Sequence, residues 1–175
     1  YFGLGAYTYA ITAMNTGEST AAWILAILLP ALVAAVIGAM MFYGRISDVY
    51  MGVITLVFSL ILFKFMGATA GSAYRIGDAP LGGFNGIPAF PVLNVPGDPA
   101  TQIYGTGLYY VVILCALGCY LLCRWMLAAS FGRTLLGIRE NEVRMELLGY
   151  NVPAAKTGVF AFTAAMAGLA GCLYA

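Results

Sequence analysis

The stretch Ala21–Tyr43, which reads AAWILAILLPALVAAVIGAMMFY, decides the class of fold. It has no charged side chain and reaches the length of about 20 apolar residues that a helix needs to cross a hydrocarbon core. Charges are also absent between Asp98 and Arg124, and from Thr157 to the last residue. A buried helix in a soluble protein rarely needs such length. The sequence therefore predicts a helical membrane protein and argues against a large soluble α-domain.

The composition of the whole chain agrees with this class. Of 175 residues, 62% are hydrophobic and 9% are charged, whereas soluble domains carry about 25% charged residues. The chain has no initiating Met, and Tyr1 and Ala175 both lie inside apolar stretches. Nothing at its start resembles a signal peptide. We therefore expect an internal fragment of a longer protein, with further spans on both sides.

We predict an all-α, polytopic transmembrane bundle that forms one domain over residues 1–175. The first of its five spans is incomplete and ends near Asn15, where turn-forming residues follow. Pro30 falls inside the second span and should kink it, which membrane helices tolerate when neighbours satisfy the freed carbonyl. In chain order the spans are approximately Tyr1–Asn15, Ala21–Tyr43, Val49–Gly67, Gly107–Met126 and Pro153–Ala175.

Residues 68–106, between the third and fourth spans, form a linker of different composition. Five of the seven prolines fall there, and proline and glycine at this density exclude a spanning helix. Asn85 fits a left-handed turn conformation, which accounts for an asparagine there without a ligand. The residues assigned to this turn are Gly82, Gly83, Asn85 and Gly86.

The basic residues set the orientation. Alternating spans put residues 44–48 and 128–151 on one side of the membrane, and only Lys64 and Arg75 belong to the other side. Because basic residues concentrate on the cytoplasmic side, both segments are predicted to face the cytoplasm, and the proline-rich linker is predicted to face outward. The basic residues in or beside the two segments are Arg45, Arg124, Arg133, Arg139, Arg144 and Lys156.

The cytoplasmic loop, residues 128–151, is patterned for short helices. Asn141 is a good N-cap, and Glu142 follows in the first turn, where the helix dipole favours negative charge. Gly149 suits the C′ position at the end of this helix, and Pro153 can start the next one. Such a pattern exceeds what a simple connector needs.

The side chains of this loop favour docking into a groove of a partner protein. Val143, Leu147 and Leu148 form an apolar stripe, and Glu140 and Arg144 have the i,i+4 spacing of a favourable ion pair. Three acids balance three arginines in the segment, whereas a helix on a membrane surface carries an excess of basic residues. A purely structural connector is the alternative to docking.

Small residues in the spans predict close helix packing. In the fifth span they recur at four-residue spacing, which lets helix backbones approach closely in lipid. Gly3 and Gly5 suit the same purpose in the first span. The residues assigned to packing in the fifth span are Ala164, Ala167, Gly168 and Gly171.

The cysteines of the fourth span also fit packing. Cys115, Cys119 and Cys123 lie along one side of a helix. A metal or redox site is the alternative, but the chain has no histidine, and thiolates facing lipid would be costly. The sequence offers no catalytic, metal or cofactor-binding set, so we expect neither an enzyme nor a nucleic-acid-binding protein.

Four stretches of the sequence resemble one family. They are FGLGAY at residues 2–7, YMGVITL at 50–56, GGFNGIP at 82–88, and the segment from GRTLLGIRENE to the C-terminus, residues 132–175. Together they resemble the LivM-type permeases, the inner-membrane subunits of ABC importers for branched-chain amino acids. The resemblance covers nearly the whole chain, and its most specific part runs from Arg139 to Gly149.

The resemblance implies a multi-pass protein of the bacterial inner membrane whose cytoplasmic loop sits in a cleft of an ATP-hydrolysing subunit. The chain has no G-x-x-x-x-G-K-[ST] phosphate loop, so a separate ATPase is expected. The resemblance also implies a second, homologous permease subunit and a solute-binding protein. The outer linker either contacts this binding protein or simply caps the bundle. Carried over residue by residue, the ATPase contact comprises Arg139, Glu140, Glu142, Glu146 and Gly149, with Leu147 and Leu148 as an apolar anchor.

Other functions stay open at this point. An ATP-independent channel or ion-coupled carrier usually has ionisable groups inside the membrane, and here only Lys64, near a span end, approaches such a position. A membrane enzyme would need a convergent set of acids, bases or metal ligands. The solute is also open, because related permeases carry urea or short amides besides amino acids.

Overall fold

The computed structural model describes residues 1–69, 74–83, 86–87, 91, 93–95, 98–103 and 105–175. The helices are α1 (Phe2–Thr16), α2 (Ser19–Tyr43), α3 (Asp48–Ala68), α4 (Thr106–Ala128), α5 (Ser130–Glu140), α6 (Glu142–Leu147) and α7 (Val152–Tyr174). Two short antiparallel sheets lie in the outer linker and pair β1 (Arg75–Ile76) with β2 (Ala79–Pro80), and β3 (Asn94–Val95) with β4 (Asp98–Gln102).

The structure confirms the all-α, multi-span bundle. Within the described residues, four helical segments are long and apolar enough to cross a membrane: α2, α4, α7 and the Val49–Ala68 part of α3. The remaining predicted span, α1, has 15 residues and is shorter than a full span. Predicted and observed helix ends differ by about two residues, which is the usual scatter of such boundaries.

The core of the bundle is formed by α1, α2 and α7, which pack closely against one another. Glycines allow this at two points between α1 and α7. An ideal Cβ built on Gly5 would lie 2.4 Å from the carbonyl oxygen of Gly168, and one built on Gly171 would lie 2.0 Å from that of Phe2. Real Cβ atoms lie more than 3 Å from the heavy atoms of a neighbouring helix. The backbones of α1 and α7 can therefore touch at these points only because glycine has no side chain.

Pro30 forms part of the same contact. It lies inside α2, which continues without a break past it. A proline has no N–H, so the carbonyl four residues earlier, that of Ala26, loses its helical partner. Gly168 of α7 faces this carbonyl, and an ideal Cβ there would lie 2.4 Å from the Ala26 oxygen and 2.8 Å from Pro30 Cγ. The backbone of α7 therefore covers the freed carbonyl.

The other small residues assigned to packing lie beside this contact. Ala164 is buried and Ala167 is half-buried on α7. The prediction for Gly3 is wrong, because no atom of the described residues lies within 4 Å of its would-be Cβ. Gly3 instead lines a cavity of about 380 Å³ between α1 and α3, together with Tyr7 and Ser59.

Two asparagines form hydrogen bonds that join the outer linker to the ends of α1 and α2. Asn15 Nδ2 donates to the Ile76 carbonyl (3.0 Å), and its Oδ1 accepts from the Asp78 N–H (2.9 Å). Asn94 Oδ1 accepts from the Ser19 N–H (3.0 Å), and the Ser19 hydroxyl donates to the Asn94 carbonyl (2.9 Å). Asn94 and Ser19 are buried, where unsatisfied polar groups would be costly.

The glycine turn of the linker is described in part. Gly82, Gly83 and Gly86 have positive φ angles of 68°, 60° and 71°. At Gly82 an ideal Cβ would also lie 1.7 Å from the Gly86 carbonyl oxygen, so the turn has no room for a side chain there. Asn85 lies outside the described residues.

Helices α3 and α4 lie outside the three-helix core. None of the residues Thr106–Ala128 of α4, all of which are described, is buried. Cys115 and Cys119 line a groove between α4 and α7, and the Cys123 sulfur lies 3.7 Å from that of Met166. Among the described residues, no group of three or more His, Cys, Asp or Glu side chains could hold a metal ion.

Candidate functional site at the charged end of the bundle

The loop after α4 folds into a helical hairpin, which we call the α5–α6 segment (Ser130–Leu148). Ala129 takes an extended conformation (ψ 172°) that ends α4, and Asn141 (φ −162°, ψ 105°) separates α5 from α6. The two helices pack closely, since an ideal Cβ on Gly137 would lie 2.6 Å from the Met145 sulfur. The sequence predicted short helices in this loop but gave bounds only for the one that begins after Asn141; the structure shows the longer α5 before it.

The predicted ends of α6 are confirmed. The Asn141 side chain accepts a hydrogen bond from the Arg144 N–H at 3.0 Å. Gly149 has φ 87° and donates to the Glu146 carbonyl (2.9 Å), while the Tyr150 N–H donates to the Met145 carbonyl (3.1 Å). This pair of bonds is a Schellman motif, which favours glycine at the C′ position.

The start of α7 is fixed in the same way. The Asn151 side chain accepts a hydrogen bond from the Ala154 N–H at 3.0 Å, and Pro153 lies in the first turn, as predicted. Asn151 Nδ2 also approaches the Tyr43 hydroxyl at the end of α2 (3.5 Å). The short connection from α6 to α7 is therefore held at both ends.

The predicted ion pair between Glu140 and Arg144 is wrong. Four-residue spacing brings side chains together only within one continuous helix. Glu140 is the last residue of α5, and the extended Asn141 redirects the chain before Arg144. Glu140 and Arg139 are exposed in the last turn of α5, where the arginine suits the helix dipole.

Two other acids of the segment form ion pairs with the rest of the chain. Glu146 Oε2 lies 3.2 Å from an Arg45 guanidinium nitrogen in the connection between α2 and α3. Glu142 pairs with the ammonium of Lys156, in the first turns of α7. The first pair confirms that residues 44–48 and 128–151 lie at the same end of the bundle, opposite the linker.

The remaining surface of the α5–α6 segment is rich in exposed apolar side chains. Leu147 is 84% exposed, Leu148 and Val143 are each 66% exposed, and Leu136 is 59% exposed. We call these four residues the apolar edge. Met145, by contrast, is turned toward α5 and half-buried. Exposed apolar clusters rimmed by charges are typical of protein-binding surfaces.

The comparisons with known proteins point to one family. A family model described as "Branched-chain amino acid transport system / permease component" matches residues 1–175. The chain belongs to this permease family. The resemblance inferred from the four sequence stretches is therefore confirmed. Family membership and the four membrane-crossing segments identify a multi-pass protein of the cytoplasmic (inner) membrane.

A curated relative gives the extent of the match. The chain is 26% identical to the probable branched-chain amino acid transport permease protein LivM of Methanocaldococcus jannaschii, over 188 aligned residues that include 99% of this chain. The chain spans about half of that relative's length (51%). No solved structure matches the chain.

Proposed function

We propose that this permease-family chain contributes the solute pathway of an ATP-binding-cassette importer and docks a separate ATPase through its α5–α6 segment. The observation that carries the proposal is the segment itself. A connector between α4 and α7 needs only a few residues, yet this one forms two helices, of which α6 is capped at both ends, and leaves the apolar edge exposed. Such an arrangement suits a helix that lies in a groove of a partner protein.

The charges around the apolar edge support a protein partner. Arg139 and Glu140 are exposed beside it, and the segment has acids and bases in equal number. At the rim of an interface such charges set partner choice and orientation more than affinity. Arg139, Glu140 and Gly149 are the residues we assign to the rim of the ATPase contact, and Leu147 and Leu148 to its centre.

The proposal includes three kinds of partner. ATP hydrolysis belongs to separate ATPase subunits, because the sequence has no phosphate-binding loop of the usual type. A homologous second permease subunit completes the pathway, and a solute-binding protein delivers the solute on the side of the outer linker. Asn15 and Asn94 join the described strands of this linker to the ends of α1 and α2, on the side where we place the binding protein.

Branched-chain amino acids are the proposed solutes. The cavity between α1 and α3 has mainly apolar walls, with hydroxyl groups from Tyr7 and Ser59 among its lining residues. An apolar side chain of leucine, isoleucine or valine is the chemistry that such walls favour. Urea and short amides, which other permeases of this type carry, have no large apolar side chain for these walls to contact.

The test is transport by the complete importer, reconstituted into vesicles with its ATPase and its solute-binding protein. We expect labelled leucine to accumulate only when ATP is hydrolysed, and excess isoleucine or valine to compete while urea does not. Leucine uptake that continues without ATP or without the ATPase would instead indicate a channel or secondary carrier. If urea competes and isoleucine and valine do not, the solute is urea or a short amide rather than a branched-chain amino acid.

A further inference from the structure

The α6 helix is joined to the bundle core by charged side chains rather than by apolar packing. None of the residues Glu142–Leu147, all of which are described, is buried. The contacts of α6 outside its own segment include the ion pairs of Glu146 with Arg45 and of Glu142 with Lys156. These two glutamates lie four residues apart, on one side of the helix.

One basic partner, Arg45, lies just beyond the end of the core helix α2, and the other, Lys156, lies in the core helix α7. Arg45 follows directly on α2 with φ 50°, and its N–H donates to the Phe42 carbonyl (3.3 Å), so it is a fixed extension of that helix. Lys156 lies in α7, and its ammonium is 5.9 Å from the centre of the Phe42 ring. That ring packs edge-on against Phe160 of α7 (6.2 Å, 80°). Arg45, Lys156 and the two rings therefore form one contact region between α2 and α7.

Of the two covalent connections of the segment, only the C-terminal one leads directly to the core. On its N-terminal side the α5–α6 segment continues into α4, which has no buried residue along its described length Thr106–Ala128. A displacement of the segment that passed only through α4 would meet the core at the far end of that helix, where Leu108 and Val111 pack against it. The core helices can be reached through the short connection to α7 and through the two ion pairs.

We propose that the Glu146–Arg45 and Glu142–Lys156 pairs transmit movement of the α5–α6 segment to α2 and α7. The proposal rests on the proposed function, and it makes the two glutamates positioning residues inside this chain rather than ATPase contacts. Exposed ion pairs contribute little to stability, but opposite charges at two fixed points set the register of one helix on another. Two pairs on one side of α6 resist both its sliding and its rotation.

The two sides of the segment therefore have different roles. The apolar edge faces outward and receives the ATPase, whereas Glu142 and Glu146 face the bundle. Loss of an ion pair should leave the ATPase bound but reduce the solute transported per ATP hydrolysed. Loss of the apolar edge should remove the ATPase altogether.

Charge reversal and charge exchange test this inference in the reconstituted importer. We expect Glu146→Arg and Arg45→Glu, each alone, to retain the ATPase on purification and to lower transport per ATP by about fivefold or more, a typical coupling effect. The double variant Glu146→Arg with Arg45→Glu restores the opposite charges and should recover most of the transport. Arg45→Lys, which keeps the charge, should behave nearly as the native protein, and Arg124→Glu on α4 serves as the matched control.

Each other outcome overturns the inference in a recognisable way. If the single variants lose the ATPase, the glutamates belong to the ATPase contact. If they transport normally, or if the double variant stays uncoupled, the pair does not transmit movement. Should the single variants fail to insert, Glu142→Gln and Lys156→Gln, which remove charge without reversing it, give the same comparison. If the native protein itself binds no ATPase, the proposed function fails rather than this inference.

Discussion

Replacing Gly168 with alanine is expected to separate α2 from α7 and to destabilise the three-helix core. The new Cβ would lie 2.4 Å from the Ala26 carbonyl oxygen and 2.8 Å from Pro30 Cγ. The first contact is with backbone, so no flexible side chain can yield, and α2 and α7 must separate. Overpacking of a closely packed core costs about 1–3 kcal/mol, and backbone contacts lie at the upper end.

The separation would also expose the Ala26 carbonyl that Pro30 leaves without a helical partner. In lipid, no water replaces the lost neighbour, so this cost adds to the steric one. Gly158→Ala in the same helix is the matched control, because its would-be Cβ has no atom of the described part of the chain within 4 Å. The measurement is the thermal unfolding midpoint of each variant in the same detergent. Equal midpoints for the two variants would show that the Gly168 crossing is not tight.

Replacing Leu147 with aspartate is expected to remove the ATPase from the purified importer. Leu147 is 84% exposed, so the bundle itself should fold and insert normally. In a partner's groove, however, the new carboxylate would replace an apolar anchor and be desolvated. Loss of a central anchor costs about 2 kcal/mol or more, which is roughly thirtyfold in affinity.

Ile76→Asp provides the control for this prediction. Ile76 is 51% exposed but lies in β1 of the outer linker, at the opposite end of the bundle. The same chemical change there should leave the ATPase bound. The measurement is the dissociation constant of the complex between the ATPase and the detergent-solubilised permease subunits. Equal affinities for the native protein and the Leu147 variant would place the ATPase contact elsewhere.

The sequence predicted the membrane spans, and it predicted that residues 44–48 and 128–151 lie at the same end of the bundle. Both predictions follow from the composition of single stretches of sequence. A long charge-free stretch such as Ala21–Tyr43 specifies a spanning helix without reference to its neighbours. The caps of α6 are local as well, since Asn141 and Gly149 act on backbone groups within four residues. Local rules therefore recovered the fold class and the helix ends.

Contacts between distant parts of the chain could not be predicted. Nothing in the sequence around Asn94 indicates that it binds Ser19, and nothing around Pro30 indicates that Gly168 covers its freed carbonyl. The pair of Glu146 with Arg45 joins residues 101 positions apart. Spacing along a helix favoured Glu140 with Arg144 instead, and that prediction failed because the cap at Asn141 ends the shared helix.

Cross-linking from position 147 in the intact importer tests the central claim most directly. A photoreactive amino acid in place of Leu147 should give an adduct that contains this chain and the ATPase subunit, whereas the same group in place of Ile76 should give none with the ATPase. An adduct from position 147 with the second permease subunit or with lipid, and none with the ATPase, would contradict the assignment of the α5–α6 segment as the ATPase dock.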